Sequence, residues 1–222
     1  MFEATPPSEE SRVMTWLILL VVVGLAAKLF LSAKLFITWL DSAKGKGKLG
    51  ELVVSNRLKE LGPGHDILGD LTFVIDGEST QIDHVVLSTR GVFVIETKNY
   101  QGKIFGKAHE PQWTQRLGRT SFKFQNPIRQ NYRHRKFLAE KCGVKEEAIV
   151  ALVVFTGKAD FPKGMPEGVF HPKALVKAIR ETTDAKLNNA QVHTIRRTLE
   201  ELGTTTRDKT AIHLENLKAR HG

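Results

Sequence analysis

Residues 81–98, QIDHVVLSTRGVFVIETK, constrain the fold more than any other stretch of the chain. Two apolar runs of strand length, IDHVVL and VFVIE, flank a short polar connection, which predicts a β-hairpin. Side chains alternate along a strand, so Val92, Val94, Glu96 and Lys98 share one face and Phe93, Ile95 and Thr97 the other. A two-residue loop at Thr89-Arg90, or a four-residue one from Ser88 to Gly91, sets Asp83 opposite Glu96 with Cβ atoms roughly 4.5–5.5 Å apart. A three-residue loop moves the register by one and sends the two acids to opposite faces.

Adjacent carboxylates raise each other's pKa unless a cation lies between them. A hard divalent ion with oxygen ligands suits such a pair, magnesium first and manganese second. Lys98, one pleat further on, is placed to hold a nucleophilic water or the charge developing on a phosphate. The trio outlines a metal-dependent phosphodiesterase. A solvated ion-pair cluster is the competing reading, and the apolar residues around both acids weigh against it, because unpaired buried charge is costly.

Thirty-three Lys and Arg against 24 Asp and Glu give a formal net charge of +9, which suits a polyanionic partner. Nucleic acid and an anionic membrane surface fit equally well. Cys142 is the single cysteine, which excludes an intramolecular disulfide and a cysteine zinc cluster, and it reads as packing.

In chain order, residues 1–12 are polar, hold Pro6-Pro7 and read as a disordered tail. Between residues 13 and 27 the only polar residue is Thr15, and apolar character continues to Leu40, broken by Lys28 and Lys34. A bilayer-spanning helix needs about 20 mostly apolar residues, and residues 13–32 supply them if Lys28 snorkels. Residues 13–40 are therefore expected to form a transmembrane anchor with an interfacial extension, Trp16 and Trp39 lying near the interfaces. A cleaved signal peptide would carry a basic first region that is missing here. Lys28, Lys34, Lys44, Lys46 and Lys48 follow the span and only Arg12 precedes it, so the C-terminal body is expected on the cytoplasmic side.

Residues 41–48, rich in Gly and Lys, read as a flexible linker. Residues 49–61 predict a helix with Leu52, Val53, Leu58 and Leu61 inward, ended by Gly62-Pro63-Gly64. Glu51 in its first turn would complement the helix dipole. Residues 65–75 hold a first strand, bulged or bent at Gly69. A short strand at 103–105 follows the hairpin. Asn126-Pro127 is a helix start, cap then first-turn proline, and the helix runs to Cys142 before Gly143. Ile128, Tyr132 (or Asn131), Arg135 and Leu138 describe one of its faces. Arg129, Arg133, His134, Arg135 and Lys136 make it the most basic helix, and Arg129, Arg133 and Lys136 are candidates for phosphate contact; a solvated basic face is the alternative. Residues 148–155 form a continuous apolar run, as in a strand buried on both faces. A loop over 157–168, a brief strand at Val169-Phe170 and helices near 172–180, 190–202 and 208–220 complete the chain.

Taken together, Gly50-Glu51 opening the first helix, Gln81-Ile82-Asp83-His84-Val85-Val86, Gly91-Val92-Phe93-Val94-Ile95-Glu96-Thr97-Lys98-Asn99, then Gly102, Gly106, Trp113, Asn126-Pro127 and Gln130 resemble the nuclease-related domain (NERD) family of the PD-(D/E)XK, restriction-endonuclease-like superfamily. The resemblance covers about half of the chain, with Ile82 where the superfamily has a proline. It implies an α/β restriction-endonuclease-like core over residues 49–156, built as helix, three-stranded antiparallel meander, helix and strand. An N-terminal transmembrane helix precedes that core, and residues 157–222 extend it as a loop and helices. It further implies a metal-dependent nuclease in which Asp83 and Glu96 bind the metal, Lys98 orients or activates water, Glu51 adds an outer acid and Gln130 takes part from the helix. Membrane-anchored bacterial members fit the N-terminal span, implying a single-pass protein of the bacterial inner membrane. DNA is the favoured substrate, and a homodimer is possible on the pattern of restriction-like folds. Two other functions remain in view: a catalytically inactive nucleic-acid-binding or membrane-scaffold module with the same fold, and an interaction protein working through the helices after residue 188.

Overall fold

A computed structural model describes residues 21–26, 28–32, 34, 38, 42–75, 78–182 and 187–203. The chain divides into two compact units, residues 1–46 and residues 47–222. Among the described residues of the first, Val21–Val23, Leu25 and Leu29–Leu31 are exposed, and 21–26 and 28–32 are helical. No helix among the described residues is long and apolar enough to cross a membrane. Much of the expected anchor, including residues 13–20 and 27, lies outside them, as does the expected helix at 208–220.

The first element corrects the expected linker. Helix α1 is Ala43–Leu58, continued by a 3-10 turn at Lys59–Leu61. Ser42 starts it: its hydroxyl accepts the Gly45 amide hydrogen at 3.0 Å and its carbonyl accepts that of Lys46 at 3.0 Å. A serine cap is worth about 1 kcal/mol, comparable to the cost of one of the three helix glycines that follow, Gly45, Gly47 and Gly50. The inward face also differs from expectation. Val54, Leu58 and Leu61 are buried, whereas Leu52 and Val53 are 55% and 42% exposed. Gly50 explains the rotation. A Cβ there would lie 2.8 Å from Thr156 Oγ1 and 2.9 Å from Asn99 Cβ, so the helix approaches the sheet along its Gly50–Val54–Leu58 stripe.

Strands β1 (Asp66–Ile75), β2 (Glu78–Ser88) and β3 (Gly91–Lys98) form the expected antiparallel meander. Strand β1 keeps one register with β2 along its length, skipping only Asp70, which has φ 58°. The irregularity beside Gly69 is thus a bend at Asp70 without the register shift of a bulge. The chain then leaves the sheet for β4 (Gly102–Phe105), β5 (Gln112–Leu117), β6 (Thr120–Gln125) and helix α2 (Pro127–Cys142). It returns as β7 (Ile149–Phe155), parallel to β3. After β8 (Ala159–Asp160), β9 (Val169–Phe170) closes the main sheet in the order β1-β2-β3-β7-β9. A second sheet has the order β6-β5-β4-β8.

Strand alternation gives each face of the main sheet its own cover. Val85, Leu87, Val92 and Val94 pack under Phe137 and Leu138 of α2 and under Ile195 and Leu199 of α4 (Asn189–Leu202). Val86, Phe93, Ile95, Leu152 and Val154 pack under Val54 and Leu58 of α1 and under Leu175, Val176 and Ile179 of α3 (Pro172–Arg180). The result is an α/β/α sandwich. Each fully buried Leu, Ile, Val or Phe in these layers contributes roughly 1.5–3 kcal/mol. The C-terminal helices are thus part of the same core, and Arg90 Nη1 donates to Thr182 O at 2.8 Å beside the β2–β3 turn.

The hairpin β5–β6 was not expected from the sequence. Trp113 stands opposite Phe124, and the turn passes through Gly118 with φ 58°. Trp113 stacks on Phe155 at 6.2 Å with 11° between the rings, so the second sheet closes over the end of β7. Phe122 and Leu117 further out are 52% and 41% exposed, which leaves the hairpin without a continuous apolar face.

Candidate active site

The turn decides which side chains meet. Ser88 pairs with Gly91, so Thr89-Arg90 is a two-residue loop, and the ladder runs back through Leu87–Val92, Val86–Phe93 and Val85–Val94 to His84–Ile95. One further step would pair Asp83 with Glu96, and there the ladder stops. The Asp83 carboxylate takes over: Oδ2 accepts the Thr97 amide hydrogen at 2.7 Å. Asp83 is also opposite the position that β1 skips. Strand β2 is therefore released from both neighbours at Asp83.

Glu96 is 3% exposed. Its Oε1 lies 2.6 Å from Lys98 Nζ, which also donates to Gln130 Oε1 at 3.1 Å. Gln130 is placed by the start of α2. Asn126 Oδ1 accepts from Ile128 N at 2.9 Å and Arg129 N at 3.4 Å, while Nδ2 donates to the carbonyls of Lys107, Ala108 and Glu110 at 3.2, 2.9 and 2.6 Å. Trp113 Nε1 adds a bond to Lys107 O at 3.0 Å. A Cβ at Gly106 would run into the Trp113 ring. Gly106, Trp113 and Asn126-Pro127 thus share one structural task, pinning the 105–111 loop against the first turn of α2.

Glu51 reaches the site's edge because Gly50 lets α1 approach the ends of β3 and β7. Lys48 holds it, Nζ lying 2.7 Å from Glu51 Oε2 and 3.2 Å from Asp70 Oδ2. Its charge bears on both inner acids. Burial first, and the neighbouring Glu96 second, push the Asp83 carboxyl up to about 8. Burial likewise raises Glu96, against the lowering pull of Lys98 and Gln130. For Lys98, burial opposes the charge, yet the Glu96 carboxylate and its hydrogen bond prevail and raise the pKa.

Arg129, Arg133 and Lys136 are exposed along one side of α2, with Lys136 Nζ 5.1 Å from the centre of the Tyr132 ring. Of Tyr132 and Asn131, the two alternatives for the inward side, Tyr132 is 45% exposed. Asn131 is fully buried in its place, and Nδ2 bridges β3 and β7 by donating to Val94 O at 2.9 Å and Leu152 O at 2.8 Å. Arg135, grouped with that face, is half-buried beside Glu146, and His134 is buried with Asn131. His134 escaped the sequence reading as one residue of a basic run. Its spacing of one turn from Gln130 was the available signal. Cys142 is half-buried, its thiol pushed up to about 11 by burial, which suits packing.

Among the described residues no group of three or more His, Cys, Asp or Glu side chains is gathered to hold a metal. The donors present are two adjacent carboxylates, and Glu96 Oε2 is a buried oxygen without a hydrogen-bond partner. That chemistry fits magnesium, which is commonly held by one or two carboxylates with water and substrate phosphate completing the shell.

An α/β core with an antiparallel meander, a parallel strand beside it, and an acid followed by Glu-x-Lys at the sheet end defines the class of nuclease-like folds. Residues 46–156 match the model of the nuclease-related domain, NERD. The chain is 34% identical over 180 residues to an uncharacterized protein of Bacillus anthracis, covering 78% of this chain and 84% of the relative. It belongs to the nuclease-related domain family. No solved structure matches the chain.

Proposed function

We propose that the protein is a metal-dependent nuclease that hydrolyses phosphodiester bonds, with DNA as the favoured substrate. One observation carries this reading: Asp83 and Glu96 are brought together at the end of a buried sheet, where Asp83 Oδ2 accepts the Thr97 amide hydrogen and Lys98 Nζ bridges Glu96 Oε1 and Gln130 Oε1. Asp83 and Glu96 would hold a divalent cation, magnesium or manganese, with Glu51 as an outer acid. When bound, such an ion polarises the phosphate and lowers the pKa of a water. Lys98 stays protonated at neutral pH, so its part is to donate hydrogen bonds and offset phosphate charge rather than to remove a proton. Gln130 holds the Lys98 ammonium in place, and Arg129, Arg133 and Lys136 supply a basic face for the sugar-phosphate backbone. The apolar stretch at residues 13–32 supports tethering to a bacterial membrane with the nuclease on the cytoplasmic side.

The Glu96–Lys98 ion pair at 2.6 Å also favours a second reading, a nucleic-acid-binding module whose acids are satisfied internally. Calorimetric titration of the full-length chain with magnesium or manganese, beside Asp83→Asn, separates the two. Binding that disappears in the variant, together with metal-dependent cleavage lost in both Asp83→Asn and Lys98→Ala, is the expected result. Cleavage undiminished by either substitution overturns the nuclease reading.

A further inference from the structure

His134 lies one turn beyond Gln130, is 2% exposed, and has no part in the chemistry above. Its Nε2 is 3.2 Å from Thr80 Oγ1. Its Nδ1 faces Glu96 Oε2 across 3.8 Å. Both of these facing atoms are buried, and neither has a hydrogen-bond partner. A closure of roughly 1 Å would bring them to ordinary hydrogen-bond distance.

The chemistry of the three atoms allows one consistent arrangement. A neutral imidazole carries a single N–H, and the partners facing its two nitrogens decide which one holds it. Glu96 Oε1 is paired with the Lys98 ammonium at 2.6 Å, and the outer oxygen of a carboxylate held this way can only accept. An Nδ1 lone pair there would set two acceptors against each other. A threonine hydroxyl rotates freely and can donate to Nε2 instead. With Thr80 donating, the N–H is on Nδ1 and points at Glu96.

We propose that His134 is a positioning residue whose Nδ1–H, fixed by the Thr80 hydroxyl on its other nitrogen, orients the outer oxygen of Glu96 toward a divalent cation. The inference rests on the nuclease reading for its purpose, though its hydrogen-bond geometry stands apart from it. Carboxylates or carbonyls commonly orient a ligating histidine; here the roles are exchanged, and the histidine orients the carboxylate. A histidine that merely filled the core would have no reason to prefer one tautomer or to influence metal affinity.

Two measurements test it. Nitrogen–proton correlation spectra of the full-length chain, labelled at histidine, are expected to show His134 as the Nδ1–H tautomer, with that nitrogen shifting in Glu96→Gln. The Nε2–H tautomer overturns the proposal. In calorimetric titrations with manganese, His134→Phe keeps a ring without a donor and is expected to bind about 10–100-fold more weakly than the unsubstituted chain. His134→Asn returns an amide N–H close to the position of Nδ1 and is expected to recover most of that loss. Equal affinity in His134→Phe and the unsubstituted chain overturns the proposal as well. Should the unsubstituted chain bind no metal, the nuclease reading fails, and the tautomer alone decides the role of His134.

Discussion

In the contact between Asp83 and Thr97, a side-chain carboxylate takes the amide hydrogen that a strand carbonyl would ordinarily accept, at 2.7 Å. The bond holds one carboxylate oxygen against β3, beside Glu96. It costs β2 a rung of ladder and fixes the acid at the place where both neighbouring strands let go.

That placement makes the metal-free protein sensitive to pH in a defined direction. The Asp83 carboxyl is pushed from its ordinary 3.8 up to about 8 in the fold, so between these values the folded state binds more protons than the unfolded one. Stability therefore falls as pH rises through this window, and Glu96, also raised, adds to the slope. Buried His84 and His134, lowered from 6.5 to about 4, slope the other way but only below pH 6.5. Thermal melts in chelator from pH 6.5 to 8 isolate the acids. The melting temperature should fall across that range, and Asp83→Asn should flatten the curve and melt higher at pH 8. Each kcal/mol regained should appear as about 2–4 °C.

Asn126→Ala removes a helix cap, worth about 1 kcal/mol. It also strips the side-chain donor from three loop carbonyls, at about 1–3 kcal/mol for each left buried and unpaired. A loss of about 2–4 kcal/mol in urea unfolding is expected. Asn126→Asp retains the cap and loses the donors, so it should remain destabilised; stability equal to the unsubstituted chain in both variants would show that the loop is held by other means.

At Gly50 two effects compete. Alanine favours the helix by about 1 kcal/mol, while its methyl group meets Thr156 and Asn99 at 2.8 and 2.9 Å, an overpacking cost of about 1–3 kcal/mol. The second should win, because both neighbours stand at the ends of strands. Gly50→Ala is therefore expected to be less stable by about 1–2 kcal/mol and to cleave more slowly as Glu51 moves outward. A more stable variant would place the helix farther from the sheet.

The exposed side of α2 has an electrostatic signature. If Arg129 and Arg133 touch phosphates of duplex DNA, each alanine substitution should reduce the slope of log affinity against log salt by about 0.9. Fluorescence anisotropy at several salt concentrations measures it. An unchanged slope in the double variant would assign that face to solvent.

Much of this could be read in advance, for local reasons. The β2–β3 turn fixes its register through a two-residue loop, and with it the shared face of the two acids. Asn126-Pro127 and Gly143 mark α2 at both ends, and Val169-Phe170 and Pro172 locate β9 and α3. What escaped depends on tertiary contacts. Helix α1 faces the sheet through a glycine, which no apolar periodicity can reveal. Residues 43–48 carry Gly and Lys, and their helix draws on a single serine cap. The β5–β6 hairpin alternates Trp113 with polar neighbours and exposes Phe122, so its pattern resembles a loop. His134 stood within a run of cations and became distinct only when Glu96 was brought beside it.

The detour through β4, β5 and β6 leaves the main sheet just after Lys98 and comes back at Asn126, whose side chain clasps the outgoing limb near its root. An excursion knotted at its base passes little of what happens at its tip to the rest of the molecule. Relatives are free to lengthen, trim or redecorate the region around Gly118 while Lys98 and Gln130 keep their separation. Variation in what the hairpin touches can then accumulate independently of the groups that do the chemistry.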